Sequence, residues 1–501
     1  MGAQQSRPSA SRAHDEAVVD GLRKMRLERA EGSGEENEKS GGFAREAEPL
    51  PLDAVSRLPR TILEDPQNRL ALSTLSSANP RTALTSRASK IANLHVFNTR
   101  IPFEGAPITN QRSSGRCWLF ASTNVFRVAM MQRYSLDSFE LSQGYLYYYD
   151  KLEKTNWFLE QIIDTCGEDL EGRLVQRLLD DLISDGGQWD MAYNLVDKYG
   201  LVPQTLYPDS WNAQNSSILN TVLKTKLREC ALRLRRAIAA GQAPGVISAM
   251  KILYMQDVQK IVTLLLGPTP NPTEEFTWTY ADKDNRVHSL AITPKDFAKN
   301  ITSSGFQINA NTISDMVSLV NDPRNDFMTR LTVDRLGNVV GGRDVTYINV
   351  DMRTLKQACV RMIRAGMPVF FGCDVGKFSD KSSGVMDLHV SDYEVGIGTD
   401  LLGMTKEQRL RAGESLMTHA MVLTAVHLDD KTGQPVRWRV QNSWGSENVG
   451  DKGWFVMTDE WMDEFVYQAV VDRRFLSKQV RDVAGQEPTV LPLWDPMGSL
   501  A

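Results

Sequence analysis

Three residues that lie far apart in the chain have the side chains needed for nucleophilic catalysis by a thiol. Cys117 occurs in "QRSSGRCWLF", His419 in "LMTHAMVLTAVHL" and Asn442 in "VQNSWG". A thiol becomes a strong nucleophile when a helix N-terminus or a neighbouring imidazole stabilises its ionised form, and an amide can orient that imidazole. The series predicts a cysteine nucleophile with a histidine base, although Cys117 alone could equally be a buried core residue.

Cys117 is expected to begin a helix. The residues after it include an apolar series at helical spacing for about four turns, namely Leu119, Phe120, Val125, Phe126, Ala129 and Met130. Ser113, Ser114 and Gly115 are typical of the loop before a helix and of its cap, so the cysteine falls in the first turn. There the helix dipole favours the thiolate.

Of the six histidines in the chain, His419 is the best candidate for the base. It stands at the start of an apolar β-strand, where the rim of a sheet would hold its ring rigidly, and Asn442 ends a later β-run. The other five are His14 in the tail, His95 and His288 in polar segments, His389 in an acidic stretch, and His427. A lone strand histidine is more often structural and an Asn-Ser pair is usually a turn, so the prediction depends on all three residues together.

The motifs around these residues resemble those of papain-like cysteine peptidases. They are Q-x5-C-W-x-F, HA-x-VL, and NSWG followed by Gly453, Trp454 and Phe455. Within that class the chain is similar to the bleomycin hydrolase family, through "SSGRCWLFA", "ELSQGYLYYYDKLEK", the long interval between the cysteine and the histidine, and the ending "LWDPMGSLA". The resemblance extends from about residue 70 to the end of the chain.

The resemblance implies a role for each matching catalytic residue. Cys117 would be the nucleophile, and His419 would take its proton and later protonate the leaving amine, while Asn442 would orient the ring. Gln111 would donate its side-chain amide to the oxyanion, the alternative being an exposed loop glutamine. Trp444 would shield the Asn–His contact, although an ordinary core role is equally consistent with the sequence.

The resemblance also implies two substrate-binding elements. The turn Asp185, Gly186 and Gly187 is similar to the family's glycine-rich turn, where bare backbone can pair with an extended peptide. The C-terminal arm would lie in the cleft, so that the terminal carboxylate of Ala501 meets the amino group of the substrate. A fixed anion there would favour a free α-ammonium and obstruct a continuing chain, which would produce an aminopeptidase. The alternative is a frayed terminus without a role.

The predicted fold class is α+β, with a papain-like core made of a helical half and a β-rich half. The interval between Cys117 and His419 is longer than such a core needs, so we expect a large, mostly helical insertion. The resemblance implies that this insertion builds a homohexameric barrel with inward-facing active sites. The predicted regions are a mobile tail at 1–50, the helical half at 51–214, the insertion at 215–370, the β-rich half at 371–487 and the arm at 488–501.

Composition excludes several classes of protein. The 501 residues are 42% apolar and 24% charged, which is typical of a globular protein, and no apolar run reaches the ~18 residues that span a bilayer. Five cysteines without a C-x-x-C pair argue against a disulfide framework and a zinc cluster. Ser114 and Ser184 stand where secreted papain relatives carry disulfide cysteines. We therefore expect a cytoplasmic enzyme, with a mitochondrial fraction as an alternative, that needs no metal or cofactor.

Two further segments bear on binding to membranes and to nucleic acid, and the sequence decides neither case. The start "MGAQQS" fits the pattern for myristoylation of Gly2, but a single acyl chain would hold a membrane only weakly. A later helix carries six cations opposed only by Glu229, namely Lys224, Lys226, Arg228, Arg233, Arg235 and Arg236. Such a run is usually a solvated face, and the alternative is a nucleic-acid-binding surface.

The predicted function is that of an intracellular cysteine aminopeptidase, which attacks peptides with a thiolate and hydrolyses the acyl-enzyme. The resemblance implies that it also hydrolyses the amide of bleomycin and homocysteine thiolactone. One alternative is an acyl transferase with the same Cys–His–Asn chemistry. The other is a nucleic-acid-binding protein with a secondary or vestigial peptidase site.

Overall fold

The computed structural model of the chain describes residues 49–299 and 310–500, so the predictions made for Gly2 and Ala501 lie outside the described residues. The chain divides into two compact units, Met1–Leu70 and Ala71–Ala501. Within the described ranges no helix combines the length and the apolarity that crossing a bilayer requires.

Helices dominate the first half of the described chain and strands the second half. The helices are α1 (Leu52–Ile62), α2 (Pro66–Leu75), α3 (Pro80–Ala83), α4 (Arg87–Ala92), α5 (Cys117–Arg133), α6 (Gln143–Asp164), α7 (Arg173–Asp180), α8 (Trp189–Tyr199), α9 (Trp211–Gln214), α10 (Ser217–Ala239), α11 (Pro244–Leu266), α12 (Pro294–Lys299), α13 (Ala310–Asp315), α14 (Met352–Arg364), α15 (Tyr393–Ile397), α16 (Lys406–Ala412), α17 (Asp459–Phe465) and α18 (Lys478–Val483). Short 3₁₀ turns cover Gln204–Leu206, Arg473–Phe475 and Pro496–Gly498.

The strands are named in the same way, in chain order. They are β1 (Thr99–Arg100), β2 (Phe276–Ala281), β3 (Val287–Ile292), β4 (Met316–Val320), β5 (Thr329–Val333), β6 (Thr346–Asn349), β7 (Val369–Cys373), β8 (Ser379–Asp380), β9 (Val385–Met386), β10 (His419–Leu428), β11 (Pro435–Gln441), β12 (Trp454–Thr458), β13 (Val466–Asp472) and β14 (Thr489–Leu491). The predicted α+β class is confirmed.

The predicted helix at the nucleophile is confirmed, because α5 begins at Cys117 itself. All of its residues as far as Met131 are buried. Its N-terminal flank carries a buried cation, since the side chain of Arg116 is fully enclosed and donates two hydrogen bonds to Asp209, at 2.9 and 2.7 Å. The guanidinium also lies 5.2 Å from the ring centroids of Phe120 and Tyr147. The helix start is therefore fixed by an ion pair and by aromatic packing.

One large sheet carries the β-rich half. Among the described residues it has twelve strands in the order β14-β5-β6-β4-β13-β7-β10-β11-β12-β9-β8, with β1 paired on β10. Strand β10 is antiparallel to both β7 and β11, and it is buried along nearly its whole length. Helix α5 packs against β10. A rigid, apolar strand beneath the helix is the element that sets the geometry of the site.

The range 215–370 contains both helices and strands. Helices α10 and α11 occupy its beginning, and the hairpin β2–β3 and strand β6 follow. Of the described strands in this range, β4 pairs antiparallel with β13 and β6 pairs parallel with β4. These strands cover backbone groups of β13 that would otherwise form an exposed sheet edge. The predicted region boundaries stay a prediction.

Candidate active site

The start of β10 lies against the start of α5. Cys117 is 2% exposed, and its sulfur is hydrogen-bonded to the backbone of Ala420, the residue that follows His419. His419 is also buried, opposite Cys373 of β7. The fold thus brings the predicted nucleophile and the predicted base to the same place from opposite halves of the chain.

His419 and Asn442 form a hydrogen bond whose polarity the surrounding backbone defines. Asn442 Oδ1 lies 2.9 Å from His419 Nε2 and also accepts the backbone N–H of Ser443 at 2.7 Å. Because a backbone N–H can only donate, the atom that it meets must be the carbonyl oxygen. Nε2 of His419 therefore carries a proton and donates to Asn442. The other ring nitrogen, Nδ1, is left with a lone pair that can accept the proton of the thiol.

Trp444 covers this hydrogen bond. Its ring centroid lies 4.9 Å from that of His419, with the planes tilted by 34°. The same indole meets Phe455 edge-on at 5.8 Å and is half-buried. It therefore both packs against the core and shields the imidazole, so the two roles considered for it are compatible.

Burial keeps both reacting groups neutral in the resting site. It raises the pKa of the Cys117 thiol to about 11, and the backbone hydrogen bonds to the sulfur only partly oppose this effect. Burial also lowers the pKa of His419 to about 4, against the hydrogen bond to Asn442, which raises it. At neutral pH the site thus holds a protonated thiol and an unprotonated imidazole. Proton transfer from the thiol to the imidazole creates a thiolate and an imidazolium, which stabilise each other. Either charge alone would be costly in this buried site.

Gln111 belongs to the same hydrogen-bonded network. Its backbone N–H donates to the carbonyl of Ser443 at 2.8 Å, and its Oε1 accepts the Ser443 hydroxyl at 2.7 Å. Its Nε2 donates one hydrogen to the carbonyl of Ser114 at 2.7 Å, and an amide nitrogen has a second hydrogen to offer. Gln111 is 6% exposed, so it is not a free loop glutamine. The sequence interpretation passed over Ser443 within "NSWG". This residue connects Gln111 to Asn442.

The turn at Asp185 packs directly on the first turn of α5. The indole N–H of Trp118 donates to the carbonyl of Asp185 at 2.6 Å, and a Cβ added at Gly187 would lie 2.5 Å from the Trp118 ring. A Cβ at Gly115 would lie 2.8 Å from the side chain of Asp185. The glycines are therefore required by close packing, and they leave the turn backbone next to the nucleophile.

The carboxylate of Asp185 is directed inward rather than to a ligand. It accepts hydrogen bonds from Lys151 at 2.7 Å, from the Tyr147 hydroxyl at 2.7 Å and from Asn220 at 2.9 Å. Although burial opposes it, these partners hold the pKa of Asp185 well below its usual range. The part of Asp185 that remains available for a substrate role is its backbone.

Two lysines of α6 that the sequence interpretation missed hold the turn in place. Lys154 Nζ donates to the carbonyls of Ser184 and Gly186 at 2.8 and 2.6 Å, and Lys151 Nζ donates to the carbonyl of Ile183 at 2.9 Å. Helix α7 correspondingly ends at Asp180, before the turn. The lysines occur within "YYYDKLEK", which gives them a helical position but not their partners.

Ser499 of the C-terminal arm contacts the segment after the glycine-rich turn and the segment before the histidine. The side chain of Gln188, the residue after that turn, donates to the carbonyl of Ser499 at 2.7 Å. The Ser499 hydroxyl donates to the carbonyl of Met417, two residues before His419, at 2.8 Å. Ala501, to which the sequence interpretation gave the substrate-binding carboxylate, lies outside the described residues. The residues just before it nevertheless reach both walls of the site.

Ionic and aromatic contacts fasten the arm upstream. Arg324 donates to both oxygens of Asp495, at 3.2 and 2.7 Å, and also pairs with the buried Asp322 at 2.8 Å. The guanidinium of Arg173 lies 4.1 Å from the ring centroid of Trp494. Because Arg324 is only 10% exposed, its ion pairs are weakly screened by solvent. The arm is thus bound in a defined register, which a frayed terminus would not be.

Asn442→Ala is expected to lower kcat/KM by on the order of 10²-fold. On the acid side of the pH profile, kcat/KM should also fall at a lower pH than in the wild type. His419 can accept a proton only above its pKa of about 4, and the hydrogen bond to Asn442 raises that pKa. Removing the bond therefore lowers the pKa and the pH at which activity falls. The measurement is kcat/KM against pH, with the exposed Ser446→Ala as control. If kcat/KM of Asn442→Ala falls at the same pH as in the wild type, or at a higher pH, the amide does not act through the imidazole.

Comparisons with known proteins agree with this geometry. The model of the peptidase C1-like family matches residues 50–498. The chain is 43% identical to bleomycin hydrolase of Rattus norvegicus over 458 residues, which cover 90% of this chain and 99% of the relative. It is 41% identical to the mitochondrial cysteine proteinase 1 of Saccharomyces cerevisiae, covering 90% and 93%. The crystal structure of PepW from Lactobacillus rhamnosis superposes with a TM-score of 0.84 at 36% identity, covering 90% of this chain and 99% of that chain.

Proposed function

The chain belongs to the peptidase C1-like family and is a cysteine peptidase, and we propose that it acts as an aminopeptidase on peptides. It removes residues one at a time from the amino end. The observation that carries this proposal is the position of Ser499, which is hydrogen-bonded to Gln188 on one wall of the site and to Met417 on the other. A peptide that extends past the scissile bond toward its amino end would meet the arm there.

The chemical steps follow from the polarity of the hydrogen bonds. His419 Nδ1 takes the proton of Cys117 as the sulfur attacks the scissile carbonyl carbon, which forms the S–C bond and an oxyanion. The second N–H of Gln111 Nε2 and the backbone N–H of Cys117 donate to that oxyanion. The imidazolium then protonates the leaving amine as the C–N bond breaks. Water, deprotonated by His419, attacks the resulting thioester and releases the amino acid and the thiol.

Selection for a free amino end depends on the arm. Ser499 contacts both walls of the site, and we propose that the terminal carboxylate of Ala501, two residues further along the sequence, pairs with the substrate amine. An anion in that position attracts an α-ammonium, whereas an acylated amine has no charge and needs more room. The glycine-rich turn supplies backbone groups for the residue that is removed.

An N-acetylated peptide is expected to be cleaved at least about a hundredfold more slowly than the same peptide with a free amine, because it loses an ion pair and meets a steric block. Both peptides are compared by kcat/KM on one preparation, with products identified by mass spectrometry. Equal rates would contradict aminopeptidase selection. Adding an amine acceptor separates hydrolysis from acyl transfer, since a transferase would form a new amide in place of the free acid.

The relatives suggest substrates and locations that extend this proposal. The rat relative is named bleomycin hydrolase, so we include the amide of bleomycin as a substrate. We also include homocysteine thiolactone, a cyclic thioester. The yeast relative is named mitochondrial, and we propose a cytoplasmic enzyme with a mitochondrial fraction. We also propose a homohexamer, to be tested by mass determination on the active sample. A membrane-bound fraction would require acylation of Gly2.

The basic surface of α10 gives little support to a nucleic-acid-binding function. Five of its six cations have acceptors within the chain: Lys224 pairs with Asp181, Lys226 with Asp257 and Arg233 with Glu229, while Arg228 donates to the carbonyls of Leu179 and Asp180 and Arg235 to those of Thr165 and Glu168. Cations that are engaged in this way have less charge to offer to phosphates. Nucleic-acid binding therefore remains the less favoured alternative.

A further inference from the structure

An unpaired cation lies beside the shield of the catalytic histidine. Lys381 Nζ is 5.3 Å from the ring centroid of Trp444, which also contacts the imidazole of His419. Lys381 is exposed, and no carboxylate of the described residues forms an ion pair with it. Of the acidic groups that line the cavity beside Lys381, Asp380 pairs with Lys90 at 2.9 Å and Glu414 pairs with Lys377 at 2.5 Å, while Asp400 accepts the backbone N–H of Leu402 at 2.8 Å.

The contact with the indole holds the ammonium without neutralising it. A cation over an aromatic face gains roughly 0.5–1 kcal/mol at an exposed site and keeps its full charge. A salt bridge in the same place would have cancelled that charge. Lys381 therefore remains able to attract an anion that passes Trp444.

The chemistry of the site places the leaving group on this side. His419 must protonate the leaving amine, so that amine lies next to the imidazole when the C–N bond breaks. Another approach to the site is occupied by Ser499, which connects the segment after the glycine-rich turn to Met417. The part of the substrate that follows the scissile bond thus has the face of Trp444 and Lys381 open to it.

The segment that carries Lys381 also offers space. It lines a cavity of about 640 Å³, formed by residues 376–381 and 400–404 together with Arg81 and Glu414. This volume is within the range of ligand pockets and is ample for one or two amino acid residues. The two other cations on the cavity wall near Lys381 are Lys377, which is paired, and Arg81.

We propose that Lys381 binds a carboxylate of the leaving product and so favours substrates whose leaving group is anionic. The carboxylate has two sources, the free C-terminus of the leaving amino acid when a dipeptide is cleaved, and an Asp or Glu side chain directly after the scissile bond. The inference rests on the proposed aminopeptidase function for the identity of the substrate. It goes beyond that function in assigning a binding residue to the leaving side.

The test compares matched substrates within each variant. One pair is Ala-Gly and its C-terminal amide, which differ only in the free carboxylate. The second pair is Ala-Glu-Gly-amide and Ala-Gln-Gly-amide, which differ only in the acidic side chain. The ratio of kcat/KM within each pair is measured for the wild type, K381A, K381E and K381R, with K431A in the exposed turn after β10 as the charge-matched control. Taking ratios removes effects that a variant has on both substrates equally.

We expect K381A to lower the acid-to-neutral ratio about three- to fivefold in at least one pair, because exposed ion pairs contribute up to about 1 kcal/mol. K381E should lower it further, by about tenfold, since the charge is reversed. K381R and K431A should keep the wild-type ratio, and 0.5 M salt should reduce the wild-type preference. The pair that responds identifies the source of the carboxylate.

Three other outcomes are distinguishable. If both ratios are the same in wild type, K381A and K381E while free-amino substrates are cleaved, the role of Lys381 is overturned and the proposed function stands. If no substrate with a free amine is cleaved by the wild type, the aminopeptidase proposal falls, and the assignment of Lys381 falls with it. A loss of preference that K431A shares would also overturn the proposal, since it would show a nonspecific effect of surface charge.

Discussion

Cys117→Ala is expected to lower peptidase turnover by on the order of 10⁴-fold or more, while the protein stays folded. The sulfur forms the covalent bond to the substrate, and the neighbouring residues are arranged around that atom. Alanine removes it without introducing a polar or larger group into the buried first turn of α5. The loss should therefore appear in kcat rather than in the thermal transition.

The matched control is Cys359→Ala, which removes another fully buried cysteine, from α14, outside the site. Both variants lose the same atom from a packed interior and should show comparable, modest changes in Tm. Only the Cys117 variant should lose turnover and labelling by a thiol-reactive epoxide. Appreciable residual activity in Cys117→Ala would assign the nucleophile elsewhere.

Deletion of residues 499–501 is expected to lower cleavage of peptides with a free amine by about 10- to 100-fold and to admit N-acetylated peptides. The deletion removes the contacts of Ser499 with Gln188 and Met417, together with the terminal carboxylate that would pair with the α-ammonium. The measurement is the ratio of kcat/KM for free and acetylated forms of one peptide, which should fall toward one.

A second variant tests the arm without shortening the chain. Arg324→Ala breaks the two hydrogen bonds to Asp495 and should shift the free-to-acetylated ratio in the same direction, though by less, because the contacts of Ser499 remain. Arg353→Ala, at an exposed position of α14, is the control for loss of an arginine. If acetylated peptides stay excluded after the deletion, the arm does not select the amino end.

Local patterns were sufficient to predict the elements that carry the catalytic residues. The apolar period after Cys117 is a property of consecutive residues, and so is the apolar run that begins at His419. Each of these patterns fixes a helix or a strand and the end at which the polar residue lies. The meeting of the two elements followed from the resemblance to papain-like peptidases, because no local pattern records which helix packs on which strand.

The partners of polar side chains could not be predicted in the same way. Asp185 was predicted to belong to a turn whose backbone binds substrate, and the sequence did not indicate that its carboxylate bonds to Lys151 and Asn220 from two other helices. Ser443 looked like part of a turn, but it connects Gln111 to Asn442. These bonds depend on distances between segments that are remote in sequence, so they become visible only when the chain is folded.

The charge pattern of α10 shows the same limit. Its lysines and arginines resemble an open basic surface when the helix is considered alone. In the fold most of their acceptors are supplied by the region between α6 and α8 and by α11, as with Lys224 and Asp181 or Lys226 and Asp257. A count of like charges on one helix therefore overstates the charge that the surface presents.

The most direct test of the relay formed by Cys117, His419 and Asn442 is the rate at which iodoacetamide alkylates Cys117 as a function of pH, followed by mass spectrometry. Burial alone raises the pKa of this thiol to about 11, so rapid alkylation near pH 6 requires the imidazole to take its proton. We predict rapid reaction at pH 6 in the wild type and, in His419→Ala, a rate that becomes appreciable only as the pH approaches 11. Identical pH profiles for the two proteins would contradict the relay.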